Sequence, residues 1–172
     1  MKSLSFFCFL IFNSLLFSQN IIENGMKQGS WIGYHENGKI KYKGQFYNDM
    51  EYGLFSYFDV NENLVIELNY VDTGVTSLAK IFHLNGKIKS EGEYSNKLKN
   101  STWVSYDYDS MIISSEEYML GKLNGICKYY FKNGSFSEIS RYLNGKKNGL
   151  SKQYYSNGLL SSKINYENGF RH

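Results

Sequence analysis

The segment "HENGKIKYKGQF" at residues 35–46 returns as "HLNGKIKSEGEY" at residues 83–94, with its H-x-N-G-K-I-K frame intact. Half of that 48-residue interval is a finer period. Counting from Gly29 in steps of 24 reaches Gly53, Ser77, Ser101, Gly125 and Gly149 without an insertion. A fixed period of this length restricts a chain to folds that stack one small unit on copies of itself, because each unit must bury the same face against its neighbours. The organisation expected is a segment 1–18 set apart, a half-repeat cap at 19–28, and six repeats at 29–52, 53–76, 77–100, 101–124, 125–148 and 149–172.

Turn signals divide each unit in two. Eight residues past the origin stand Asn37-Gly38, Asn85-Gly86, Asn133-Gly134 and Asn157-Gly158, replaced by Asn61-Glu62 and Asp109-Ser110 in units two and four. A second signal, clearest as Asn144-Gly145 and Asn168-Gly169, follows about a dozen residues later. Paired turns at this spacing mark consecutive strands of an antiparallel meander. The composition agrees: 16 Tyr, 12 Phe and 16 Gly with no Pro favour strands and tight turns. Asn24-Gly25 falls where a preceding unit would place its second turn, which makes Ile21 and Ile22 part of a half-hairpin cap.

Aromatic side chains recur in register. Five residues past the origin come Tyr34, Phe58, Phe82, Tyr106, Tyr130 and Tyr154; at seventeen come Phe46, Tyr70, Tyr94, Tyr118, Tyr142 and Tyr166; Trp31, Phe55 and Trp103 stand at two. Offsets eleven (Ile40, Leu64, Ile88) and seventeen share a parity, so the expectation is that they leave one face of a strand. Offsets two and five differ in parity, which requires either a bulge in the first strand or rings on both faces. Trp31, Tyr34, Phe58, Phe82, Trp103, Tyr106, Tyr130 and Tyr154 are the candidate structural or ligand-facing rings. A lone hairpin is marginal, whereas six stacked copies turn the rings into continuous ladders. At about 4.8 Å per strand, such a sheet is roughly 60 Å long. A leucine-rich repeat lacks its frame here, and an outer-membrane barrel needs strands of about ten residues where these have room for roughly six.

The first eighteen residues, with Lys2 ahead of an apolar run from Leu4 to Phe17, have the shape of a secretory signal peptide cleaved near Ser18. The expected location is therefore outside the cytoplasm: periplasm, cell surface or secreted. Cys8 lies within that run, which leaves Cys127 as the mature chain's one cysteine and excludes an intramolecular disulfide. The mature chain carries 18 basic and 16 acidic residues, a net charge of +2 that offers no case for nucleic acid, and it has no membrane span.

Catalytic chemistry finds no constellation. His35 and His83 lie two units apart, about 20 Å in such a stack, and read as polar residues beside turns. Asp107 and Asp109 imitate the start of a calcium loop, but neither the glycine nor the bidentate glutamate follows. Cys127 sits where other units place Trp or Phe and reads as a buried core thiol. "NGKKNG" at 144–149 lacks the phosphate-loop spacing and reads as a hairpin turn. No enzyme, cofactor or metal is expected.

"NGKKNGLSKQYYSNGLL" and "NGMKQGSWIGYHENGKIKYKGQF" resemble the bacterial variant of the MORN repeat, a Y-x-N-G-K-x-x-G-x-W-x-x-Y-x-x-N-G-x-L pattern. The resemblance runs over residues 20–172 and is strongest in units one, five and six; units two and four lose the first Asn-Gly and unit three has Ala79 for Trp. It implies an all-β, elongated single sheet of stacked hairpins and likeness to the YwqK-type antitoxin family. The function expected is a non-catalytic exported scaffold or binding module for a protein partner. The alternatives are an antitoxin-like protein that neutralises a toxin by contact, and a cell-wall glycan binder using an aromatic ladder. Units two to four depart furthest from the pattern and are the first place to look for a site.

Overall fold

The computed structural model describes residues 19–172; the proposed signal segment and Cys8 lie outside the described residues. Among the described residues the fold is one open antiparallel sheet of fifteen strands with no helix. In chain order these are β1 (Ile21–Glu23), β2 (Met26–Tyr34), β3 (Ile40–Tyr47), β4 (Met50–Phe58), β5 (Leu64–Tyr70), β6 (Thr76–Phe82), β7 (Ile88–Ser95), β8 (Leu98–Tyr106), β9 (Ile112–Met119), β10 (Lys122–Leu123), β11 (Gly125–Tyr130), β12 (Phe136–Leu143), β13 (Lys146–Tyr154), β14 (Leu160–Glu167) and β15 (Phe170–Arg171). Every strand pairs with its sequence neighbour, except that β10 and β11 both pair with β9 as two pieces of one line.

The strands run longer than the six residues expected: β2, β4, β8 and β13 have nine each. The second turns explain the difference. Asn24-Gly25, Asn48-Asp49, Asn96-Lys97, Leu120-Gly121, Asn144-Gly145 and Asn168-Gly169 each have positive φ at both residues. That is the type I′ geometry, which matches strand twist and uses only two residues. Unit two differs, with an open loop closed by Val71 N–H donating to Thr76 O at 3.1 Å.

Register assigns the faces. Gly33 pairs with Tyr42 but Tyr34 pairs with Ile40, so Lys41 is an extra residue, and the same shift recurs in all six hairpins. The bulge lies on the second strand and flips offset eleven away from offset seventeen, which corrects the parity expectation. Rings do line both faces of the first strand: offset two on one face, offset five on the other.

The first of these is the ladder face. Phe46, Phe55, Tyr70, Ala79, Trp103 and Cys127 are its buried apolar residues, and Ser77, Ser90, Ser114, Ser140 and Ser151 its buried hydroxyls. Trp31, Phe46, Phe55 and Tyr70 run across two neighbouring hairpins in edge-to-face contacts with centroids 5.8, 5.2 and 5.7 Å apart, the arrangement that aromatic quadrupoles favour. Side-chain size is matched across neighbouring hairpins. A methyl group on Gly44 would stand 2.3 Å from the Phe55 ring, and one on Gly92 2.5 Å from the Trp103 ring. Where the earlier strand carries Leu68, its partner in the next hairpin is Ala79. Ala79 is therefore the small half of a large–small pair, which explains the tryptophan missing from unit three.

Candidate interaction surface

The turns do more than reverse the chain. Asn37, Asn85 and Asn133 each accept from a backbone N–H two residues on, at 3.1 Å. Each also donates its side-chain N–H to a carbonyl of the next hairpin: Val60 O at 3.0 Å, Tyr108 O at 3.2 Å and Ser156 O at 2.8 Å. His35 and His83 likewise donate from Nε2 to Phe58 O and Tyr106 O, both at 3.0 Å. These residues stitch hairpin to hairpin, so both histidines are beside turns as expected and each has its nitrogen engaged. In units two and four the stitching residue gives way to a cap. Asp59 accepts from Asn61 and Asn63 N–H, and Asp107 from Asp109 and Met111 N–H, at 2.8–2.9 Å. The Asn63 side-chain N–H, which donates to Asp59 Oδ2 at 2.9 Å, and then these backbone donors hold Asp59 below the usual carboxylate range, and the backbone donors of Met111 and Asp109 do the same for Asp107. No group of three metal-ligating side chains occurs among the described residues.

Cys127 is fully buried and burial pushes its thiol up, as a core position implies. Around it the ladder face turns polar. Glu116 accepts from Tyr118 OH and Tyr129 OH, each at 3.0 Å. Glu138 accepts from Ser140 Oγ at 2.6 Å, Lys147 Nζ at 2.6 Å and Gln153 Nε2 at 3.1 Å, while Ser140 and Ser151 hydroxyls meet at 2.6 Å. Burial acts to raise the Glu138 carboxyl, but these donors outweigh it and hold it below the usual value. Every buried side-chain nitrogen and oxygen among the described residues is satisfied.

The candidate rings divide between the faces. Trp103 is completely enclosed and donates Nε1–H to Glu93 O at 2.9 Å; Trp31 is half-buried against Phe46 and donates to Gln28 O at 3.0 Å. Both are packing residues of the ladder. Tyr34, Phe58, Phe82, Tyr106, Tyr130 and Tyr154 form a row on the opposite, open face beside the first turns, with Tyr34 the most accessible at 56 %. Tyr106 OH donates to Glu91 Oε1 at 2.7 Å, which pushes the phenol up to about 12 together with burial. Lys43 Nζ stands 5.9 Å from the Phe58 ring centre.

What sequence reasoning missed is the rest of that open face. Leu54, Leu78, Ile126 and Leu150 occupy one register position, offset one, and remain exposed. The signal was in the sequence, since offset one is apolar in four of six units, but rings drew the reading to offsets two and five. A hollow of about 630 Å³ opens between β4 and β8, lined by Leu54, Leu78, Lys80, Glu67, Glu91 and Glu93 among others. It falls in units two to four. A second hollow of about 330 Å³ lies over β11–β13, with Ile126, Ile139, Leu150, Arg141 and Lys152 in its wall. Between β5 and β6 the register is continuous, without the bulge that interrupts β3–β4, β7–β8 and β12–β13, so the larger hollow sits over the most regular junction. No helix among the described residues is long and apolar enough to cross a membrane.

No curated protein matches the sequence. Among solved structures the chain is similar to TarM, at 13% identity and a TM-score of 0.40, with 55% of this chain covered. It is also similar to an S. aureus TarM mutant in complex with Fondaparinux, alpha-GlcNAc-glycerol and UDP, at 13% identity, TM-score 0.41 and 56% coverage. The aligned part is 19% of either TarM chain. The family model of the MORN repeat variant matches residues 27–49, 76–96 and 147–168. These matches fall on the first, third and sixth units, so unit three keeps the pattern despite Ala79, while unit five, expected among the strongest, is not matched. The chain thus carries MORN-variant repeats at three places in a sheet of six equivalent hairpins.

Proposed function

We propose that the chain is an exported, non-catalytic repeat protein whose open sheet face is a binding platform for a protein partner in the cell envelope. The observation that carries this reading is the open face itself: one apolar side chain at the same position in four hairpins, uncovered, flanked by two hollows. Leu54 and Leu78 form one exposed apolar stretch and Ile126 and Leu150 another, with Thr102 between them, and exposed apolar patches rimmed by polar side chains mark interaction sites. MORN repeats are binding modules in general, which agrees. Export rests on the N-terminal segment alone. Fractionation of cells with identification of the mature N-terminus tests it, and a chain beginning at Gln19 outside the cytoplasm is the expected result. Recovery from the cytoplasm with Met1 retained would overturn export and favour the antitoxin-like alternative, in which the same face covers a toxin. Immobilised protein should then capture a saturable partner from envelope extract, and a variant with Leu54→Lys and Leu150→Lys should not.

A second reading draws on the row from Tyr34 to Tyr154. Rings repeated at one hairpin spacing, about 10 Å, could stack on alternate sugars of a glycan. Cell-wall fragments that leave tyrosine fluorescence unchanged would remove it.

A further inference from the structure

Charge is sorted along the stack. Residues 29–76 hold three basic and seven acidic side chains, 77–124 six of each, and 125–172 eight basic and two acidic. The open face shows the same gradient where it is hollow. Glu67, Glu91 and Glu93 line the hollow over β4–β8 against Lys80 alone, whereas Arg141 and Lys152 line the one over β11–β13 with no carboxylate. Between and beside them runs the apolar row, with Leu54 at 53 %, Leu78 at 52 %, Ile126 at 46 % and Leu150 at 40 % exposure.

These features are complementary to each other. The midpoint between the two hollows, counted along the sheet order, falls at the β8–β9 hairpin. There the open-face positions include Thr102, Val104 and Ser115, side chains small enough to let a second sheet approach to the usual distance of about 10 Å, beside the exposed Glu117, whose carboxylate accepts from Ile126 N–H at 3.1 Å. A two-fold axis lying between two copies along that hairpin reverses the stack. It sets the carboxylate-lined hollow of each copy on the cation-lined hollow of the other, twice, and lays apolar row on apolar row. The unreversed arrangement places like charges together. Isologous pairing of this kind closes on itself and leaves no growing end.

We propose that the open face is the interface of an antiparallel dimer of this chain, held by the apolar row and aligned by its opposed charge. The proposal rests on the reading of the open face as a binding surface and names its occupant as a second copy. Complementary ends of this sort set orientation and speed encounter more than they add affinity, so salt should slow assembly before it abolishes it.

The test is the oligomeric state of the purified chain by light scattering and sedimentation, compared with two variants. One reverses the basic end (Arg141→Glu with Lys152→Glu) and the other the acidic end (Glu67→Lys with Glu93→Lys), each checked for a native β spectrum. The wild type is expected at twice the chain mass. Each variant alone should need at least tenfold more protein to dimerise, and an equimolar mixture of the two should recover wild-type assembly, because each then presents the complement of the other. Variants that dimerise like the wild type, or species that keep growing beyond a dimer, would overturn the proposal. So would a wild-type monomer at about 100 μM, where an interface of standard size is filled. If that monomer still captured a saturable envelope partner, the binding-platform reading would stand without the dimer; if it captured nothing, both would fall.

Discussion

From β2 to β9 offset two of the ladder face is filled mostly with rings, and from β11 to β14 that position holds a thiol and a hydroxyl, while offset seventeen keeps Tyr142 and Tyr166. Trp31, Phe55 and Trp103 occupy offset two in the first stretch, Cys127 and Ser151 in the second. The turns and the hairpin bulges continue at the same period across the change, although the line is broken between β10 and β11 where it begins. The repeat therefore specifies a geometry that two chemistries can fill. Rings contribute large buried area plus about 0.5–1.5 kcal/mol per favourable pair, whereas each hydroxyl or carboxylate contact nets about 0.5–1.5 kcal/mol after the loss of water. In a stack whose stability is a sum over neighbours, the C-terminal third should open first.

The largest test of this contrast is truncation at offset two. Phe55→Ala should cost about 3–5 kcal/mol, as removal of an enclosed ring does. Ser151→Ala should cost about 1 kcal/mol, because Ser140 keeps Glu138 as its acceptor. Urea unfolding measures both, and equal losses would break the comparison. Next in size is the large–small rule. Gly92→Leu alone should cost about 1–3 kcal/mol through overpacking against Trp103. Combined with Trp103→Ala it rebuilds the Leu68–Ala79 arrangement, so the double variant should be more stable than the sum of the single losses by about 1 kcal/mol or more. Strict additivity would show that the two positions do not share space.

Much of this architecture was open to sequence reading, and the parts that were not have physical reasons. Period, turn positions, the Asn24-Gly25 half-hairpin and the burial of Cys127 all follow from repetition, because a stacked unit must place like residues alike. The faces did not follow, since one extra residue at Lys41 and its equivalents reverses parity and leaves no mark in composition. Ala79 looked like a lost tryptophan because its partner Leu68 is eleven residues away on a neighbouring strand. The asparagines were legible as turn residues, but their bonds to Val60, Tyr108 and Ser156 carbonyls depend on the rise between hairpins, which no single unit encodes. The candidate rings were left as structural or ligand-facing because parity alone does not assign them a face, and the apolar row of the open face was passed over because its leucines and isoleucines lack the conspicuousness of aromatics.

Acid should sharpen the comparison. Despite burial, the donors Lys147, Ser140 and Gln153 keep the Glu138 carboxyl below its ordinary value in the folded chain. Its carboxylate form thus favours folding. That contribution is fully present above the unfolded glutamate value and is lost as pH falls through the lowered folded one. Glu138→Gln should therefore lower stability at neutral pH by about 1–2 kcal/mol and flatten the decline below pH of about 4. Hydrogen exchange should place both effects in β12–β14 and leave β3–β5 unchanged; a uniform effect over the sheet would mean that the two regions unfold as one.

The smallest effect isolates the turns from the ladder. Ser110 has φ of 70° where units one, three, five and six place glycine, a conformation that an L side chain adopts at a cost of about 1–2 kcal/mol. Ser110→Gly should relieve that strain, less the extra freedom glycine has in the unfolded chain, for a net gain of about 0.5–1 kcal/mol. Gly134 is the matched position of unit five, with φ of 81° and open space where a Cβ would stand. Gly134→Ser should lose what Ser110→Gly gains, since neither side chain touches the ladder. Equal and opposite shifts in urea midpoint would show that turn energetics are independent of whether rings or hydroxyls fill the sheet. A larger loss at Gly134 would instead mean that the polar third tolerates strain less well, because its neighbours contribute less to holding the turn in place.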